Sequence, residues 1–283
     1  MKKNHFLLLL LSFQLFLYSA NENSIIGTRA RGMGDVTTAV SDFWAVYNNQ
    51  AAMPFYGKTA AGMYYDNRYL LKETSTAALG GMFALKNGSD VFGMNLYHYG
   101  GGAYGELKIG FSYAKSFASV FSFGLQFDYL LDYFQDATYG KRSGFTFETG
   151  IYGQVTKNFS LGFHVYNPAR LKMVTYNGIT EYIPTILRLG LAYTFPEKCV
   201  VGFDVEKNLD TKIQCRTGVE YAVHQYLTLR GGLRFPDFSF NLGMGTHFKD
   251  LFIDFASSYH VYLGYSPQIS LVYVIKNSTQ NTQ

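Results

Sequence analysis

The sequence predicts an all-β fold: a transmembrane antiparallel up-and-down β-barrel of about 14 strands, with an N-terminal hatch segment inside the lumen. Three observations predict it. From about residue 58 onward, apolar and polar residues alternate with period two, the period of a strand. The chain carries 24 Tyr, 25 Phe and 29 Gly against 6 Pro and one Trp, the usage of an all-β protein. After residue 20 there is no run of 18 apolar residues, so any crossing of a membrane must be made by strands. Mean hydropathy is close to zero, as expected where outward apolar residues average against inward polar ones.

The first 20 residues read as a secretory signal peptide. Lys2 and Lys3 precede an apolar stretch from Phe6 to Leu17, broken only by Ser12 and Gln14, and small Ser19 and Ala20 precede polar Asn21. The apolar stretch is shorter than the ~20 residues of a spanning helix. Cleavage after Ala20 removes two lysines and lowers the formal net charge from +4 to +2. No Cys lies near the cut, so no lipid anchor is expected. No basic patch or stripe stands out, which argues against nucleic acid as a partner.

Residues 21–56 do not alternate. Ser41 and Asp42 are placed to cap a short helix through Phe43 to Tyr47, and Gly27, Gly32 and Gly34 permit tight turns. A segment of this kind suits the inside of a wide barrel, and it is expected to be the hatch. Residues 57–276 form the expected barrel and 277–283 a tail.

The clearest alternation runs from Phe121 to Tyr133, where Phe123, Leu125 and Phe127 oppose Gly124, Gln126 and Asp128. Such a row of bare Phe and Leu suits the lipid-facing side of a barrel. Counting similar rows places strand starts near 58, 76, 90, 104, 119, 143, 158, 183, 198, 211, 226, 238, 250 and 267. The even connections, such as 115–119, 156–158 and 249–250, are short. The odd ones, such as 66–75, 99–103, 132–142, 168–182 and 258–267, are longer, with 236–237 as the exception. Short periplasmic turns and longer outer loops are the pattern of outer-membrane barrels. Cys199 and Cys215 fall on the outward phase of neighbouring strands, out of step for pairing, and read as small lipid-facing hydrophobes.

About 14 strands enclose a lumen too wide for wall side chains alone to fill. Inward positions carry both charge signs: Arg188, Arg216, Arg230 and Arg234 near Asp204, Glu206, Glu220 and Asp254. A mixed network of this kind is expected to bridge strands and hold the plug. Inward apolar residues are few: Leu130, Ile186, Val200, Phe252, Val272 and Val274. Leu171 and Tyr176 on the connection 168–182, and Tyr259, Tyr262 and Tyr265 on 258–267, are candidates for binding a protein partner. They compete with a role in the aromatic girdle at the lipid headgroups. No G-x-S-x-G, H-E-x-x-H or complete dinucleotide motif is present, so neither catalysis nor a cofactor is expected, and inward His164 reads as a lumen hydrogen-bonding group.

The stretch Gly27-Thr28-Arg29-Ala30-Arg31-Gly32-Met33-Gly34, then Ala39-Val40-Ser41-Asp42, then Tyr47-Asn48-Asn49-Gln50-Ala51-Ala52-Met53, resembles the opening of the FadL-like outer-membrane barrels. The likeness is to their PorV/PorQ group, associated with type IX secretion. Asn49, Ala51 and Met53 match the hatch motif, with Gln50 where that group has Pro. The stretch Asp254 to Ser270 is similar to the end of the same family. The resemblance implies a 14-stranded barrel with an N-terminal hatch in the outer membrane of a diderm bacterium, surrounded by lipid. It implies a non-enzymatic scaffold subunit that contacts other outer-membrane or surface proteins in a secretion or assembly machine. The alternative it leaves open is passive transport of hydrophobic small molecules.

Overall fold

The computed structural model describes residues 23–85, 88–136, 140–174 and 180–276. The leader 1–20, the tail 277–283 and Tyr176 lie outside the described residues.

The wall begins with β1 (Ala60–Asn67), β2 (Ser75–Ala84), β3 (Asp90–Gly101), β4 (Tyr104–Phe117), β5 (Phe121–Phe134), β6 (Lys141–Gln154) and β7 (Phe159–Tyr166). A short hairpin, β8 (Lys172–Val174) and β9 (Thr180–Tyr182), interrupts it. The wall resumes with β10 (Ile186–Phe195), β11 (Cys199–Asn208), β12 (Gln214–His224), β13 (Leu227–Phe235), β14 (Ser239–Phe248), β15 (Leu251–His260) and β16 (Gly264–Val274). Each wall strand pairs antiparallel with the next, β7 pairs with β10, and β1 pairs with β16, from Ala60↔Val274 to Asp66↔Gln268. The wall is therefore closed and has 14 strands. No expected strand start is displaced by more than three residues.

The faces follow the alternation. Phe123 and Phe127 stand outward, while Gln126 and Asp128 between and beside them are buried in the lumen. The same outward row continues around the wall through Phe92, Met94, Phe111, Leu189, Leu242 and Met244. A continuous apolar exterior around a polar interior is what a barrel in lipid needs. Cys199 and Cys215 are free: Cys199 lies opposite Tyr221, and Cys215 opposite Val205, so they are not cross-strand partners.

The long and short connections differ from expectation at one end. The connections at the short-turn end are short throughout. At the other end, 236–238 is short as expected, and 102–103 and 261–263 also span three residues or fewer. The expected loop 258–267 is mostly strand, because Ser258↔Ser266, Tyr259↔Tyr265 and His260↔Gly264 continue the β15–β16 ladder. Tyr259 and Tyr265 thus meet across a strand pair, their rings tilted by 51° with centroids 4.8 Å apart, and Tyr262 alone of the three occupies the turn.

Inside the wall lies the segment from Asn23 to Tyr56. It holds three short helices, α1 (Thr28–Gly32), α2 (Ala45–Asn48) and α3 (Met53–Tyr56), and a 3-10 turn, Gln50–Ala52. The helix expected over Phe43 to Tyr47 begins two residues later. Asp42 starts it by accepting from the Trp44 N–H at 2.8 Å. Nearly all of the segment is buried. Ile26, Phe43, Trp44, Val46, Tyr47 and Met53 join inward Tyr64, Met82, Val91, Tyr97 and Tyr152 in one apolar cluster. The short list of inward apolar residues was therefore incomplete: the wall meets the apolar side of the plug with Met, Val, Ala and Tyr as well.

Candidate functional site

The site is the plugged lumen with the spaces above and below the plug. The end of the barrel bearing the uniformly short turns is taken as the inner one. An inward-facing Gly stands on most strands at the level of the plug, and there the plug backbone comes up against the wall. A Cβ on Gly162 would lie 1.9 Å from the Thr38 carbonyl oxygen, and one on Gly218 2.1 Å from the Met33 carbonyl oxygen. On Gly232 it would lie 2.1 Å from the Gly34 nitrogen, and on Gly124 2.4 Å from the Ala51 nitrogen. No side chain fits where backbone lies against backbone. These glycines were visible in sequence as a Gly in the inward phase of strand after strand, and that recurrence is the signal that could have found the belt.

Polar pins hold the plug against this belt. Asp204 Oδ2 accepts from the Thr37 N–H and Thr38 N–H, both at 2.9 Å, and from the Thr38 hydroxyl at 2.7 Å. Asn241 donates to the Arg31 carbonyl at 2.8 Å, Ser160 to the Ala39 carbonyl at 2.7 Å, and Ser122 to the Ala51 carbonyl. Asn49 donates to the Thr38 carbonyl at 2.7 Å and accepts from the Ala51 N–H at 3.3 Å, which caps the 3-10 turn. Ala51 and Met53 are fully buried beside it. Gln50 is fully buried too. Its amide donates to Glu148 at 3.0 Å and to Gln126 at 3.2 Å, and Glu148 also takes Lys108 Nζ at 2.7 Å and faces His164 Nε2 at 2.9 Å. A Pro at position 50 makes none of these bonds.

Of the eight charged residues expected to form one network, seven fall into three groups. Glu206 binds Arg188 at 2.6 Å and Arg216 at 2.7 Å. Arg230 binds Glu220 at 2.6 Å and Asp254 at 2.5 Å, and plug residue Arg29 joins them through Glu220 at 2.7 Å and Asp42 at 3.4 Å. Arg234 binds plug residue Asp35 at 2.7 Å, and Arg31 meets Asp35 at 3.1 Å and Asp66 at 3.7 Å. Asp204 belongs to none of them as an ion pair, because its bonded oxygen faces threonine donors. The plug's own Arg29, Arg31 and Asp35 take part in five of these nine bridges. They were missed because a segment without alternation gives no face to read.

Two spaces remain. The outer vestibule, about 150 Å³, is lined by Arg31, Arg68, Arg216 and Arg234 with Asp35, Asp66 and Glu206. The inner cavity, about 250 Å³, has an apolar floor of Phe43, Trp44, Tyr56, Phe252 and Val272 beside the Arg29–Glu220–Arg230 group.

The wall also has a notch. The β6–β7 ladder runs only from Gln154↔Ser160 to Glu148↔Tyr166, so the outer half of β6 lacks its neighbour. The hairpin sits there instead, paired to β6 at Ser143↔Val174. Behind it Leu130, Tyr166, Met173, Ile183 and Ile186 form a buried apolar cluster. The connection proposed to bind partners has one buried side and one exposed side, the latter with Leu171, Val174 and Tyr182. Leu171 is exposed, but Met173 and Ile183 are buried, and Asn167 ties the segment down by donating to the Ile183 carbonyl at 2.7 Å and accepting from the Leu171 N–H at 2.8 Å.

No family model and no curated protein matches the sequence. Solved structures do match the fold. The CymD monoaromatic hydrocarbon channel superposes with a TM-score of 0.71 at 13% identity, covering 89% of this chain and 98% of that one. A FadL homologue of Pseudomonas aeruginosa gives 0.64 at 14% identity, covering 87% and 98%. The Ralstonia pickettii toluene transporter TbuX gives 0.62 at 14% identity, covering 88% and 97%. At such identities the likeness shows the fold, which is that of the FadL-like barrels.

Proposed function

We propose that this barrel resides in the outer membrane of a diderm bacterium, exported by its N-terminal leader, and passes small hydrophobic molecules across that membrane. The observation that carries this reading is the notch beside β6, where the wall ladder stops and an apolar cluster lies behind a short hairpin. A molecule dissolved in lipid meets apolar side chains there, whereas the open vestibule offers it charge. On the far side of the plug, the floor of Phe43, Trp44, Tyr56, Phe252 and Val272 offers a second apolar station. The similar structures described as a hydrocarbon channel and a toluene transporter agree with this reading.

The test is uptake of radiolabelled toluene and of a long-chain fatty acid by cells with and without the protein. A plug lock supplies the control: Ala39→Cys with Ser160→Cys, since the Ser160 hydroxyl lies on the Ala39 carbonyl at 2.7 Å. Uptake that rises with expression and falls when the lock is oxidised supports the reading. Uptake of neither compound above the empty strain overturns it.

A second reading is the PorV/PorQ-type scaffold that contacts secretion or assembly partners. It is favoured by the apolar tips on the outer rim, where Tyr262 is 89% exposed beside exposed Leu263 and Leu70. Stoichiometric outer-membrane proteins retained in a pull-down, and lost in Tyr262→Ser with Leu263→Ser, would favour it over passage.

A further inference from the structure

Two buried charges of the wall are each half used, and they stand opposite one another. Asp204 on β11 and Arg216 on β12 lie directly across the ladder, and both are buried. Oδ2 of Asp204 takes the three plug donors of Thr37 and Thr38, while Oδ1 has no hydrogen-bond partner among the described residues. One terminal nitrogen of Arg216 binds Glu206 and Gln214, while Nε and the other terminal nitrogen have no partner there. Buried polar atoms left unpaired are costly, and a carboxylate with a guanidinium is among the strongest pairings available to them. In the docked geometry that pairing is not made.

The plug keeps the two apart. The free oxygen of Asp204 lies over Gly190, its partner on β10, where an added Cβ would collide with it. β10 and β12 flank β11 on opposite sides, so the carboxylate, held by the plug threonines, is turned away from Arg216. Arg216 in turn is held by Glu206, which Arg188 also binds at 2.6 Å. Across the next ladder from Arg216 stands Arg234, and plug residue Asp35 binds it at 2.7 Å. Withdrawal of plug residues 35–38 removes both supports together. Asp204 loses all three donors and becomes a bare buried carboxylate. Arg234 loses Asp35, which leaves two guanidinium groups facing each other across β12 and β13, an unfavourable pair of like charges. Turning Arg216 toward Asp204 relieves both, and Glu206 keeps Arg188.

We infer that Asp204 and Arg216 form a two-position latch for the plug. With the plug docked, Asp204 holds Thr37 and Thr38; with the plug withdrawn, it holds Arg216. The second position lets the plug leave and return without stranding a buried charge. One ion pair then replaces three plug donors, so the docked position remains the stronger and loss of Asp204 still loosens the plug. The latch concerns the motion of the plug whatever passes it, so the latch and the passage of hydrophobic molecules can fail separately.

The experiment is hydrogen exchange over residues 33–44 of the full-length barrel, folded in detergent, with heat-modifiable migration as the check that the wall is closed. R216Q removes the cation that receives Asp204 in the withdrawn state. Exchange is expected to slow about tenfold, the weight of one hydrogen bond between charged groups. The direction discriminates: an arginine that merely braces the wall through Glu206 would, when lost, leave the plug as it is or loosen it. In the D204A background the same substitution is expected to leave the rate unchanged, because the latch acts through Asp204 alone. R216M, also without a cation, serves if R216Q does not fold. Slower exchange in R216Q that disappears in D204A supports the latch. Exchange unchanged or faster in R216Q, or slowed equally in the D204A background, overturns the inference.

Discussion

Asp204→Ala tests whether the plug is held by particular pins or merely by confinement. Asp204 sits on β11, 166 residues from Thr38, and one carboxylate oxygen takes three donors from the plug at 2.7–2.9 Å. Truncation strands the N–H groups of Thr37 and Thr38 in a site without bulk solvent. Each stranded donor costs about 1–3 kcal/mol, so the docked plug should lose about 2–6 kcal/mol. The other carboxylate oxygen has no partner, so truncation also relieves a buried charge and moves the expectation to the lower half of that range. Even ~2 kcal/mol shifts the equilibrium between docked and released plug about 30-fold. Asp204→Asn keeps one carbonyl acceptor and should cost about 1 kcal/mol, the difference between a charged and a neutral acceptor. Hydrogen exchange over residues 33–44 should accelerate in the order wild type, Asn, Ala, and single-channel conductance in planar bilayers should rise in the same order. Heat-modifiable migration on gels checks that the wall is still closed. A folded Asp204→Ala barrel with unchanged exchange and conductance would refute the pin.

Three further outcomes are expected. Phe127→Arg, on a side chain 62% exposed to the lipid side, should cost about 2–4 kcal/mol, while Phe248→Arg next to the inner turn should cost about 0–1 kcal/mol; urea unfolding in vesicles compares them. Gln126→Arg on the lumen side should also be costly, because Gln126 is fully buried against Glu148 and Asp128. Gly162→Ala should cost about 1–3 kcal/mol, since its Cβ meets plug backbone, whereas Gly153→Ala has its nearest atom at 3.9 Å and should be neutral; thermal unfolding separates the two. Asn167→Ala removes bonds to Thr146, Leu171 and Ile183 and should cost about 2–4 kcal/mol, read as faster protease cleavage between residues 170 and 185 on whole cells.

Much of the wall was legible without coordinates. The row Phe123, Leu125, Phe127 against Gln126 and Asp128 gave the correct faces, and inward His164 is a buried hydrogen-bonding group on Glu148. Strand 121–134 is long and regular, so its period speaks for itself. The loops were less legible. The stretch 258–267 read as a loop because its Ser, Tyr and Gly residues suit turns, yet ladder bonds to the facing strand extend β15 and β16 through it. The stretch 168–182 is exposed at Leu171, Val174 and Tyr182, as a loop should be, yet Met173 and neighbouring Ile183 cover an apolar cluster made by three other strands. Both outcomes depend on what stands opposite in space.

What the sequence determines by itself is local: a strand alternates its side chains whatever it pairs with, so period two reports strand, face and lipid side together. What only the tertiary structure decides is which distant groups share the lumen. Asp204 reads as one member of a charge ladder, and becomes a plug pin because Thr37 and Thr38 arrive beside it. Gln50 reads as a missing Pro, and becomes a buried bridge because Gln126 and Glu148 face it. The glycines of the wall acquire their meaning when the plug backbone comes within a Cβ's breadth of them. Hydrogen bonds and close packing act over about 3–4 Å, and closure of the barrel brings together groups that the chain keeps more than a hundred residues apart.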